Sequence, residues 1–169
     1  MNNHDASVRF LEMLEAHKGI LYKVARSYCR DSEDRKDLLQ EMTVQLWRSF
    51  ETYNGLTQYS TWIYRIVLNV AISFYRKESR RKQVSGVFSE GILELADGDT
   101  TEEMNENLRL LQQFISELKE LDKALLLLYL EEKSHKEIAE IIGISETNAA
   151  TKIGRIKTQL KHKFTNQKK

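Results

Sequence analysis

SHKEIAEIIGISETNAATKIGRI, residues 134 to 156, is the stretch on which the reading of this chain turns. Ser134 and Glu137 have capping-box spacing, Ile138, Ala139 and Ile142 form an inward helical face, and Gly143 stands where a tight turn needs a positive φ. Ser145 can cap a second helix, on which Ala149, Ile153, Ile156 and Leu160 follow helical spacing. Cap, helix, glycine turn, cap and helix make a helix-turn-helix. Its second helix leaves Asn148, Thr151, Lys152 and Arg155 on the outer face, residue types that reach base edges and phosphates. From Thr147 onward there are seven bases and no acid, a balance that favours DNA through counterion release. Repressors, activators and polymerase subunits all carry this motif, so it points to duplex DNA and not to one use of it.

Upstream, ALLLLYL (Ala124 to Leu130) is too short to cross a membrane and reads as a buried helix. Before it, Thr100 and Glu103 have capping-box spacing, and Leu108, Leu111, Phe114, Ile115 and Leu118 continue a helical pattern. The composition agrees with helices throughout: no proline, 7 glycines and 30% charged residues in a chain that is 41% apolar. The expected fold is all-α, with two small helical domains joined by an acidic linker and the helix-turn-helix in the C-terminal one.

The formal net charge of +1 hides an uneven distribution. Residues 1–85 carry 14 bases and 10 acids, residues 86–107 no base and 7 acids, and residues 108–169 carry 12 bases and 8 acids. Two basic ends flanking an acidic middle read as two polyanion-binding modules and a linker that avoids the polyanion. As a random coil the linker would span about 26 Å, and about 73 Å when fully extended.

In the first module, Phe10, Leu14, Leu21, Val24 and Ala25 mark a helix from Ser7 to about Tyr28. A second begins near Asp31 or Ser32 and runs through Leu38, Leu39, Met42, Leu46 and Trp47 to about Phe50. Tyr53-Asn54-Gly55 breaks the period. A third runs from about Ser60 to Lys82 on a stripe of Ile63, Ile66, Val67, Val70 and Phe74. Trp62 lies off that stripe, near Arg65, Asn69, Arg76 and Arg80. An aromatic among cations and amides suits single-stranded nucleic acid, whose bases stack on rings while guanidiniums hold the backbone. Trp62 taken alone fits better a partly buried cover over a small apolar cluster. Five bases and one acid between Arg76 and Lys82 add a phosphate-tracking end. On the second helix Asp37, Glu41, Val44 and Arg48 align with Gln40 alongside, and two acids at i and i+4 would be relieved by a basic partner.

DLLQEMTVQLW (Asp37 to Trp47), YSTWIYRIVLN (Tyr59 to Asn69), Arg76-Lys77 and the helix-turn-helix, in that order, resemble the extracytoplasmic-function class of bacterial RNA polymerase sigma factors, in the sigma-70 family. The resemblance covers about residues 7–83 and 105–164. It implies a first module that docks on the clamp helices of the largest polymerase subunit and captures the non-template strand of the −10 element. It implies a last module that reads the −35 element and contacts the β flap, and a linker that threads the polymerase. Asp37, Gln40 and Glu41 fall at the core-binding positions. Tyr59, Ser60, Thr61, Trp62, Arg65 and Asn69 fall on the loop and helix that hold the melted strand. Thr147, Asn148, Thr151, Lys152 and Arg155 fall on the −35 recognition helix.

The chain departs from the family pattern at several positions. Tyr59 replaces a usual phenylalanine and Ser73 a common aspartate, LKEL (Leu118 to Leu121) lacks the usual Leu-Pro, and Ala149-Ala150 replaces Val-Lys. The resemblance also makes an anti-sigma partner an expectation.

The competing reading is a helix-turn-helix regulator that binds duplex DNA without polymerase. An enzyme has little in its favour, because there is no phosphate-binding glycine loop, no HExxH and no nucleophile elbow. His4, His17, His135, His162 and Cys29 have no metal-ligand spacing, so no metal or cofactor is expected. With one cysteine, no signal-peptide pattern and no long apolar run, the expected location is the cytoplasm.

Overall fold

The computed structural model describes residues 3–82 and 102–167, arranged as seven helices. Three belong to the N-terminal unit: α1 (Asn3–Tyr28), α2 (Ser32–Phe50) and α3 (Tyr59–Lys82). The other four are α4 (Glu102–Glu117), α5 (Glu120–Leu130), α6 (His135–Ile142) and α7 (Glu146–Gln167). No strand occurs among the described residues.

Local chemistry sets the boundaries. Asp31 caps α2 by accepting from the Asp34 amide, and Ser134 and Glu137 form the reciprocal capping box at the start of α6. Gly143 ends α6 at φ 82°, where a side chain would be strained, and Ser145 accepts from the Asn148 amide to start α7. Residues 102–107, the last of the expected linker, form the first turns of α4, with Glu102 and Glu103 favourably placed at its positive end. Thr100, the expected cap, and the rest of the linker lie outside the described residues.

In the first unit α1, α2 and α3 pack pairwise. The row Leu38, Met42 and Leu46 turns α2 inward, and all three are fully buried, each adding about 1.5–3 kcal/mol by leaving water. In the second unit α7 packs against α4, α5 and α6, burying Ala149, Ile153 and Ile156. Ala124 to Leu128 of α5 are buried, as the apolar run implied.

The expected stripe of α3 is too narrow. Ile63 and Val67 are fully buried, Ile66, Val70 and Phe74 only partly, and Tyr64, Leu68, Ala71 and Ile72 are buried as well. The reason is tertiary: α3 packs on α1 and α2 and also meets α5 and α6 of the second unit. Buried residues of both units form one apolar cluster.

Candidate nucleic-acid interface

On α7, the outward positions Thr147, Asn148, Thr151 and Arg155 are exposed and Lys152 is half-buried. The Thr151 hydroxyl donates to the Thr147 carbonyl 2.9 Å away, and the Arg155 guanidinium sits 3.6 Å from Asp122 of α5. The face is preformed, because the capping box, the left-handed Gly143 and the Ser145 cap fix how α6 delivers α7.

The start of α3 is an aromatic cluster. Tyr53, in the loop before the helix, stacks on Tyr59 with ring centroids 4.6 Å apart and planes 24° off parallel. Trp62 lies beneath this pair, 5.1 Å from the Tyr53 ring and 6.4 Å from that of Phe50, and is only 9% exposed. Tyr59 is 37% exposed. The outermost ring is therefore Tyr59, with Trp62 as its floor, and Thr61 is buried while Ser60 is half-buried. Asn69, Arg76 and Arg80 are exposed and Arg65 partly so. In the sequence Tyr53 stands out only as part of a helix breaker; an aromatic just ahead of a Tyr-Ser-Thr-Trp start is the signal that marks it as a candidate.

Two of the cations do not stand open. The Arg65 guanidinium donates to the Glu140 carbonyl of α6 at 3.1 Å and lies 3.9 Å from its carboxylate. Arg76 Nε donates to Glu120 Oε1 of α5 at 2.6 Å, a bond that holds the Glu120 carboxyl below its ordinary range.

On α2, Asp37, Gln40 and Glu41 are all exposed on one side, beside Val44 and Trp47, two of the exposed large apolar side chains. The second unit has a cleft of 810 Å³ between α4, α5 and α7, lined by Leu111, Tyr129, Leu160 and Phe164 with Lys157 and Lys161 at its edge. Among the described residues no group of His, Cys, Asp and Glu is arranged to hold a metal ion, and no helix is long and apolar enough to cross a membrane.

Comparison with known proteins matches these two units separately. Residues 13–81 match the family described as Sigma-70 region 2, and residues 108–160 match Sigma-70, region 4. The chain belongs to the sigma-70 family of RNA polymerase sigma factors. Within it the match is to the extracytoplasmic-function group: the sigma-E factor of Haemophilus influenzae is 31% identical over 143 residues, covering 78% of this chain and 75% of that protein. The sigma factor SigV of Bacillus subtilis is 29% identical over 140 residues, covering 82% and 81%. Two solved structures share the fold. The sigma factor RpoE of Bartonella quintana, bound to the anti-sigma factor NepR, superposes with a TM-score of 0.66 at 19% identity, over 95% of this chain and 97% of that one. CnrH, bound to the cytosolic domain of CnrY, does so at 0.65 and 18%, over 93% and 88%. As a sigma factor, this protein binds core RNA polymerase and directs it to promoter DNA.

Proposed function

We propose that residues 1–85 bind core polymerase and the −10 element, that residues 86–107 link the units, and that residues 108–169 read the −35 element. On the first unit, Asp37, Gln40 and Glu41 present carboxylates and an amide to the clamp helices of the largest subunit. Tyr59 offers the stacking face for a base of the melted strand, with Tyr53 behind it and Trp62 below, while Ser60, Thr61, Arg65, Asn69, Arg76 and Arg80 serve its edges and phosphates. On the second unit, Thr147, Asn148, Thr151, Lys152 and Arg155 enter the major groove. The apolar cleft beside α7 is the face offered to the β flap.

The protein supplies binding and no bond-making chemistry. Stacking of a flipped base contributes about 1–3 kcal/mol, and binding the open strand more tightly than the duplex is what drives unpairing. The observation that carries this reading is the Tyr53–Tyr59 stack on the floor of Trp62, flanked by Arg65 and Asn69: base faces are hidden in a duplex, and an exposed ring has use for them only after melting. The protein acts where polymerase acts, in the cytoplasm, and the complex of its Bartonella relative with an anti-sigma factor makes a protein of that kind an expected partner.

The test is reconstitution. Purified core polymerase with this protein should start transcription at defined sites in a genomic fragment library, and neither component should do so alone. Tight, specific duplex binding without polymerase, and no transcription with it, would replace this reading with that of a conventional helix-turn-helix regulator.

A further inference from the structure

His17 of α1 stands beside the aromatic cluster and lies outside the motifs that mark the −10 face. By the helical period it falls on the inward row of α1 with Phe10, Met13, Leu21, Val24 and Tyr28, all of them buried. His17 itself is only half-buried, and its ring centroid lies 6.0 Å from that of Tyr59, with the planes tilted by 56°. An apolar residue would complete the row at no polar cost. The imidazole instead brings a hydrogen-bonding edge to a part of the row that solvent reaches, next to the exposed ring.

The chemistry of that edge is fixed by its other nitrogen. His17 Nδ1 lies 2.9 Å from the Met13 carbonyl, an oxygen that only accepts, so Nδ1 carries the hydrogen and the neutral ring presents Nε2 as a lone-pair acceptor. Nε2 meets no hydrogen-bond partner among the described residues. Tyr53 covers one face of Tyr59, so a base stacks on the other, and an offset stack that slides toward α1 carries the base edge to the imidazole. The tilt of 56° allows the bond, since its strength follows the direction of approach and not the coplanarity of the two rings.

We propose that His17 reads the base stacked on Tyr59, with Nε2 accepting a hydrogen bond from the amine at adenine C6 or cytosine C4. Guanine and thymine carry a carbonyl oxygen at the same position, and that oxygen would meet the nitrogen lone pair. The site therefore favours adenine or cytosine. The proposal rests on the assignment of Tyr59 above as the stacking ring. It adds α1 to a face otherwise built from α3 and the loop before it, and it lets a stack that tolerates every base choose among them.

The test measures binding of the full chain, without polymerase and at low salt, to two fluorescent single-stranded oligonucleotides of equal length. One is oligodeoxyadenosine and the other oligodeoxynebularine, whose purine differs only in lacking the amine at C6. The unsubstituted chain should prefer adenine about fivefold, the size of one net hydrogen bond, and His17→Ala should bind the two within about twofold. His17→Gln, whose amide oxygen also accepts, should keep part of the preference. Because the preference is a ratio on one protein, a partly unfolded variant lowers both affinities and leaves the ratio intact. Tyr59→Ala should weaken binding of both oligonucleotides. An adenine preference as large in His17→Ala as in the unsubstituted chain, or none in the unsubstituted chain, overturns the proposal and leaves the stack standing if Tyr59→Ala binds more weakly. Tyr59→Ala binding both as tightly as the unsubstituted chain overturns the stacking assignment, and this proposal with it.

Discussion

Lys123 Nζ lies 3.1 Å from the Ser27 carbonyl, joining the start of α5 to the end of α1 across 96 residues of sequence. Lys123 is fully buried, with its amine 5.9 Å from the Tyr28 ring centroid. Desolvation pulls its pKa from 10.5 down to about 6, while burial pushes the Tyr28 phenol up, so that the phenol stays neutral.

The packing of the two units on each other should therefore depend on pH. When the units part, Lys123 is hydrated and regains its ordinary pKa, so between about 6 and 10.5 the open form binds a proton that the closed form does not. Packing of the units therefore strengthens as pH rises through that window and weakens as it falls, by at most about 1.4 kcal/mol per pH unit from this one group. Energy transfer between dyes on the two units should increase from pH 7 to pH 9. Lys123→Met, which keeps the apolar stem and removes the titrating amine, should flatten that slope and hold the units together at neutral pH.

Trp62 and Tyr59 should separate stability from strand capture. Trp62→Ala empties a buried site beneath two tyrosines and should cost about 3–5 kcal/mol in urea unfolding, so its loss of transcription would not isolate a DNA contact. Tyr59→Ala removes a part-exposed ring. It should leave unfolding within about 1 kcal/mol of the parent while weakening permanganate-detected opening by the roughly 1–3 kcal/mol of one stacked base.

Gly143→Ala should destabilise the helix-turn-helix by about 1–2 kcal/mol, because the residue holds φ 82° and L side chains pay for the left-handed region. A Cβ there meets nothing within 4 Å, so the cost is conformational and Gly143→Asn should recover part of it. Thermal unfolding of the three proteins would show that ranking; an alanine variant as stable as the parent contradicts it.

Glu41→Lys changes an exposed side chain and should leave the unfolding midpoint unchanged. Its co-purification with core polymerase should fall at least tenfold, and single-stranded −10 binding by the free chain should not fall. Equal loss of both activities would indicate misfolding in place of a lost contact.

Helix count among the described residues, most helix boundaries and the outward face of α7 were legible in the sequence because they are set within a few residues. Asp31 reaches the Asp34 amide, Ser134 and Glu137 reach each other, Gly143 answers to its own φ, and the Ala149, Ile153, Ile156 row needs only the helical period. The motif order in the sequence was likewise enough to mark the family. What tertiary structure alone decided lies between distant residues. Trp62 reads as an outward ring by its angle on α3, yet the loop carrying Tyr53 folds over it and makes Tyr59 the exposed aromatic. Arg65 and Arg76 read as open cations, yet Glu140 and Glu120 meet them across 75 and 44 residues. Lys123, in ELDKALLLLYL, has the pattern of a solvent-facing lysine and is instead sealed between the units. Local sequence sets φ, capping and period, whereas burial and charge pairing depend on which surfaces meet, and that is settled only when the two units close on one core.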